Sequence, residues 1–136
     1  MKFYVDTSIW IDLLEDRSDG IKPLGELAFQ FLRLCRKNRA KLIYSEAIIF
    51  ELNQFSEKLA EEIFSSFGNL LVEVAVSEEQ TKEAKIIAKN RKLPPSDVLH
   101  AIIARDNGAI VVTRDKHFER LFDIAESSSP EEVTFY

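Results

Sequence analysis

The chain has 136 residues, 46% of them apolar and 30% charged, which suits one domain with a real core and excludes a disordered or fibrous chain. Its formal charge of −5 excludes a general polyanion binder, whose sequence-independent affinity comes from Lys and Arg. Apolar runs such as Ala47 to Phe50 and Ala109 to Val112 fall far short of the roughly 20 residues that span a bilayer, and Asp6 interrupts any signal-like start, so a cytoplasmic protein is expected.

The chain alternates strand and helix patterns. Residues 2 to 6 read as a strand and 8 to 15 as a short helix carrying Ile9, Trp10, Leu13 and Leu14. Asp16 to Gly20 is turn chemistry. Residues 24 to 38 place Leu24, Leu27, Ala28, Phe31, Leu32 and Cys35 on one helical stripe. Lys41 to Tyr44 is a short strand, and Ser45 is placed to cap a helix over 46 to 55, followed by a second over 57 to 67. Leu70 to Val76 reads as strand. Ser77 caps a helix that has Glu78 and Glu79 in its first turn and runs to Arg91. Pro94-Pro95-Ser96 starts another helix, with Ser96 as its cap, ending at Asn107-Gly108. A strand over 109 to 113, a short helix over 116 to 122 and an edge strand over Val133 to Tyr136 complete the pattern, with Ser127 to Pro130 as a loop. This order predicts a three-layer α/β/α domain with a mainly parallel sheet of four to five strands.

Cys35 is the only cysteine, which excludes an internal disulfide and a thiolate metal cage, and it reads as a small core residue. His100 and His117 are too few for a histidine-rich metal site. Any metal is therefore expected on carboxylates. Two basic clusters, Arg33 to Lys41 and Lys82 to Lys92, read as solvated helix faces.

Position relative to the apolar pattern singles out four acids. Asp6 and Asp115 each follow an apolar strand segment and have hydroxyl neighbours, Thr7 and Ser8 for the first and Thr113 for the second. On neighbouring parallel strands they share the carboxyl edge where open α/β folds bind ligands. Capping of the following helix is the simpler role for each. Glu51 has Ala47, Ile48 and Phe55 around it at helical spacing, so its carboxylate leaves from the apolar side and calls for a cation or a donor. Asp97 opens a helix, where dipole stabilisation alone explains an acid. Ala101, Ala104 and Gly108 continue its row and allow close approach to the sheet.

The ordered set Asp6-Thr7-Ser8, Ser45 with Glu51, Asp97-x-x-x-Ala101 and Thr113-x-Asp115-x-x-Phe118 resembles the PIN domain over residues 3 to 122. Size and layout resemble the VapC-type toxins of toxin–antitoxin pairs. The resemblance implies a ribonuclease dependent on Mg²⁺ or Mn²⁺, with Asp6, Glu51, Asp97 and Asp115 as catalytic and metal-binding acids. It also implies a homodimer and a cognate antitoxin that restrains it. Thr7, Ser8 and Thr113 would orient ligands, while Arg114 and Lys116 would hold the RNA backbone. Many family members carry a further Asp where this chain has His117, so a second ion would be held weakly or one ion would suffice. Two other classes stay open. A phosphatase of the haloacid-dehalogenase type normally has a second Asp where Ser8 stands, and a non-catalytic PIN-like scaffold would leave the acids silent.

Overall fold

The computed structural model describes residues 1–135. Five parallel strands form one sheet in the order β3-β2-β1-β4-β5. They are β1 (Lys2–Val5), β2 (Lys41–Tyr44), β3 (Leu71–Glu73), β4 (Ile110–Val112) and β5 (Ser127–Ser128). The helices are α1 (Thr7–Leu14), α2 (Leu24–Lys37), α3 (Glu46–Phe55), α4 (Glu57–Phe67), α5 (Glu78–Arg91) and α6 (Pro95–Asp106). None of them is long and apolar enough to cross a membrane.

The chain winds outward from β1 through β2 to β3, then returns to the other side of β1 with β4 and β5. Right-handed crossovers therefore put α1 to α4 on one face and α5 and α6 on the other. Aromatic contacts agree with strand alternation. Phe3 meets Phe31 of α2 edge-on at 5.3 Å between centroids, while its neighbour Tyr4 lies 5.4 Å from the His100 ring of α6. The core gathers Phe3, Ile9, Phe31, Leu42, Ile102 and Val111. Trp10 is buried in it and packs on Phe67, so its indole belongs to the core. Buried Cys35 has its thiol pushed up to about 12 by desolvation, which suits an inert packing residue.

Several expected elements are revised. β3 is shorter than the Leu70 to Val76 segment. The helix over 116 to 122 is a 3₁₀ turn, Lys116–Leu121. The edge strand is Ser127–Ser128, paired with Val111 and Val112, and a 3₁₀ turn follows at Pro130–Glu132. Residues 133 to 135 form no strand, and Tyr136 lies outside the described residues. Phe135 turns its ring onto Phe3 and Phe31 instead. Ser96 lies inside the first turn of α6, because Pro94 holds the N-cap position and Pro95 presets the first helical φ. Ser45 sits at the N-cap of α3, but its side chain caps nothing. The expected cap at Ser77 is present, and Gln80 closes it into a capping box.

Candidate active site

The direction of winding reverses between β1 and β4, and that reversal opens a crevice at their carboxyl ends. Asp6 is the first residue past β1, with its backbone N–H donating to the Val112 carbonyl at 2.9 Å. Asp6 Oδ2 accepts from Thr113 Oγ1 at 2.8 Å and Ser8 Oγ at 3.0 Å. Its Oδ1 has no protein donor among the described residues. Burial pushes the Asp6 carboxyl above its ordinary range, against the hydrogen bond from Thr113, and the charge of Glu51 pushes it further.

The first turn of α6 delivers Asp97 and the end of β4 delivers Asp115. Buried Ala101 and Ala104 let α6 lie close to the sheet, as their row in the sequence suggests. Asp97 Oδ2 lies 2.8 Å from His117 Nδ1, and Asp115 Oδ1 lies 3.2 Å from the same nitrogen. Asp115 Oδ1 also accepts the backbone N–H of His117 at 2.9 Å, so this aspartate does cap the turn after it. Desolvation raises the Asp97 carboxyl, opposed by the His117 hydrogen bond and reinforced by the charges of Asp115 and Asp6. Asp97, Asp115 and His117 each offer a ligand atom, all within 4.8 Å of one another.

Glu51 reaches the crevice from α3. His100 Nε2 lies 2.7 Å from Oε2 and 3.0 Å from Oε1, and Thr7 Oγ1 donates to Oε1 at 3.0 Å. Burial alone would raise this carboxyl, but the bonds from His100 and Thr7 bring it below its ordinary value. Behind His100, Nδ1 lies 2.7 Å from the Tyr4 hydroxyl, which lies 2.8 Å from Ser45 Oγ. Ser45 thus serves Tyr4 instead of the helix end.

Two histidines outside the sequence-derived set touch the acids, His100 on Glu51 and His117 on Asp97 and Asp115. Two histidines cannot build a histidine-rich metal site, but His100 has a different role, as partner of a half-buried Glu51. Its place three residues after Asp97, on the same helix face, was the available signal. Asp12 is a further buried acid, raised by desolvation, near Arg114, Arg17 and Asp6. Its place inside the apolar run of α1, between Ile11 and Leu13, was the available signal.

Of the basic candidates, Arg114 is forked onto Glu131 at 2.7 and 2.9 Å. Lys116 is exposed. Both line a polar groove of about 370 Å³ beside Asp115, together with Thr113, Ser127, Ser129 and Glu131. A second groove, about 620 Å³, opens beside Glu51 and His100 and is lined by Ala47, Ile49, Phe50, Val76 and Leu99.

The donor set consists of carboxylate oxygens and one imidazole nitrogen, which suits hard or borderline divalent cations such as Mg²⁺ and Mn²⁺. Acids this close raise one another's affinity for protons unless a cation relieves the repulsion.

No curated protein matches the chain. Among solved structures, VapBC2 from Rickettsia felis bound to a DNA fragment from their promoter is similar at 18% identity, with a TM-score of 0.69 over 95% of this chain and 98% of that one. VapBC-1 from nontypeable Haemophilus influenzae gives 16% identity and a TM-score of 0.67 over 97% and 100%. FitAcB from Neisseria gonorrhoeae gives 19% and 0.64 over 98% and 100%. These likenesses establish the fold. The PIN domain model matches residues 3–122, a span that holds all four acids and both histidines, and the chain belongs to the PIN domain family.

Proposed function

We propose that this PIN domain is a metal-dependent endoribonuclease and the toxin of a toxin–antitoxin pair. The observation that carries the reading is the convergence of Asp6, Glu51, Asp97 and Asp115, from four separate elements, on the crevice between β1 and β4. Asp97, Asp115 and Asp6 Oδ1 would hold Mg²⁺ or Mn²⁺, with Glu51 at the side of the site. When bound, the ion would lower the pKa of a water and neutralise charge building on the scissile phosphate.

The protein's own part is positioning. Thr113 and Ser8 fix one oxygen of Asp6 and leave the other without a protein donor among the described residues. Thr7 and His100 fix Glu51. Glu51 would orient or accept a proton from the attacking water, and Lys116 would pair with the RNA backbone. Arg114 enters this reading only through its neighbours, because Glu131 occupies its fork.

The structural likeness to VapBC and FitAcB supports a cognate antitoxin and a cytoplasmic role. A homodimer fits the apolar groove around Phe50, a side chain that is 66% exposed in the single chain. Sedimentation of the purified protein and copurification with the product of a neighbouring gene test these assignments.

The test of activity is cleavage of a structured RNA panel by wild type and Asp6→Asn with Mg²⁺, with Mn²⁺ and with EDTA. Cleavage by wild type alone, abolished by EDTA, is expected. Equal cleavage by the variant would show a contaminating nuclease, and RNA binding without cleavage under any ion would favour a PIN-like scaffold.

A further inference from the structure

We propose that His117 is itself a metal ligand, through Nδ1, and that it tilts this site toward Mn²⁺ and away from Mg²⁺; the proposal rests on the metal-dependent reading above. The argument starts from spacing. An octahedral ion with bonds of about 2.1 Å holds adjacent ligand atoms about 3 Å apart and opposite ones about 4.2 Å apart. His117 Nδ1 stands 2.8 Å from Asp97 Oδ2 and 3.2 Å from Asp115 Oδ1, the length of two octahedron edges, and the three ligand atoms fit within 4.8 Å.

The ring is held there by the backbone. His117 lies at the start of the 3₁₀ turn Lys116–Leu121, its N–H tied to Asp115 Oδ1, and buried Phe118 anchors the same turn in the core. Its side chain is 47% exposed, so an ion reaches Nδ1 without rearrangement of the fold. The carboxylates that Nδ1 faces come from two different elements, α6 and the end of β4, and the nitrogen bridges them.

Ligand chemistry then sets the preference. Mg²⁺ is hard, dehydrates reluctantly and takes oxygen, whereas imidazole nitrogen is accepted more readily by the later and softer divalent ions. Replacing a carboxylate with a neutral nitrogen also removes a negative charge, which costs most with the ion that relies on charge alone. The same site with an aspartate at this position would favour Mg²⁺ more.

The test uses the metal ions alone, without RNA. Metal-free wild type, His117→Asp, His117→Gln and His100→Gln are titrated with Mn²⁺ and with Mg²⁺ by calorimetry, and bound Mn²⁺ is examined by pulsed electron paramagnetic resonance for directly coordinated nitrogen. Nitrogen coupling is expected in wild type and in His100→Gln and is expected to vanish in both His117 variants. The ratio of Mn²⁺ to Mg²⁺ affinity is expected to fall about tenfold in His117→Asp. Bound Mn²⁺ without nitrogen coupling, or an unchanged ratio, would overturn the proposal and leave His117 a hydrogen-bond donor to Asp97. Wild type that binds neither ion would overturn the metal reading as well, and nitrogen coupling in a protein that cleaves no RNA would sustain the ligand while removing the nuclease.

Discussion

His100 joins Glu51 to Tyr4. Its Nε2 lies 2.7 Å from Glu51 Oε2, and its Nδ1 lies 2.7 Å from the Tyr4 hydroxyl. A carboxylate only accepts, so the ring carries a hydrogen on Nε2. With the neutral ring, Ser45 donates to Tyr4, Tyr4 to Nδ1, and Nε2–H to Glu51, which satisfies every member of a chain linking β1, β2, α6 and α3. Ser45, Tyr4 and His100 are all at most 2% exposed, and at that burial an unpaired group is costly.

His100→Gln is expected to keep the fold and to lower RNA cleavage about 10- to 100-fold, the usual effect of losing a partner that orients a ligand. The glutamine amide can still donate, but it cannot reach Glu51 and Tyr4 together along a ring's geometry. Thermal denaturation and single-turnover cleavage rates check this. Unchanged cleavage would mean that Glu51 needs no support from α6.

Tyr4→Phe removes one oxygen and strands two buried groups, Ser45 Oγ and His100 Nδ1. A loss of about 1–3 kcal/mol is expected in urea unfolding. Ser45→Ala should cost less, since Tyr4 keeps its bond to His100.

The fold was legible because apolar runs and turn residues alternate along the chain, and the parallel sheet follows from that order. Glu51 was legible as an acid in need of a partner, because Ala47, Ile48 and Phe55 surround it at helical spacing. The partner was not, since it comes from a helix 49 residues away. The edge strand was misplaced for a related reason. Ser127 and Ser128 contribute backbone to the ladder and carry no apolar signal, whereas Val133 and Phe135 carry the signal but spend it on the core. Local pattern reports burial, and burial alone does not say whether a residue pairs in a sheet.

Acid dependence separates Asp6 from Glu51. The folded protein holds a proton on Asp6 to higher pH than the unfolded chain does. The stability this contributes is complete below the unfolded carboxyl pKa and is lost as pH rises through the folded one. Metal-free Asp6→Asn should therefore melt a few degrees above wild type at neutral pH, with the gap closing on acidification, while it loses all cleavage. Glu51 runs the other way. Its folded pKa is lowered, so its contribution is present above the unfolded pKa and is lost as pH falls through the folded one. Glu51→Gln should be the less stable variant at neutral pH, and melting curves from pH 4 to 8 distinguish the two.

Divalent ions should raise the melting temperature of wild type, and saturation at 100 times the dissociation constant should add about 2.7 kcal/mol. Asp97→Asn should abolish most of that gain, because Asp97 shares a cluster of ligand atoms with Asp115 and His117. A full metal-induced shift in this variant would place the ion elsewhere.

Arg114 and Lys116 flank Asp115 and should behave differently. Arg114 makes a two-pronged contact with Glu131, whose carboxylate also meets Lys22 at 3.4 Å, and so ties the turn after β5 to the end of β4. Lysine cannot reproduce that fork, so Arg114→Lys should lose about 1–2 kcal/mol of stability with little change in KM. Lys116 is exposed and has no ion pair among the described residues. Lys116→Ala should leave stability and kcat unchanged, raise KM severalfold and flatten the salt dependence of RNA binding. A KM effect at Arg114 with no stability effect would mean that the guanidinium leaves Glu131 for the RNA backbone when substrate binds.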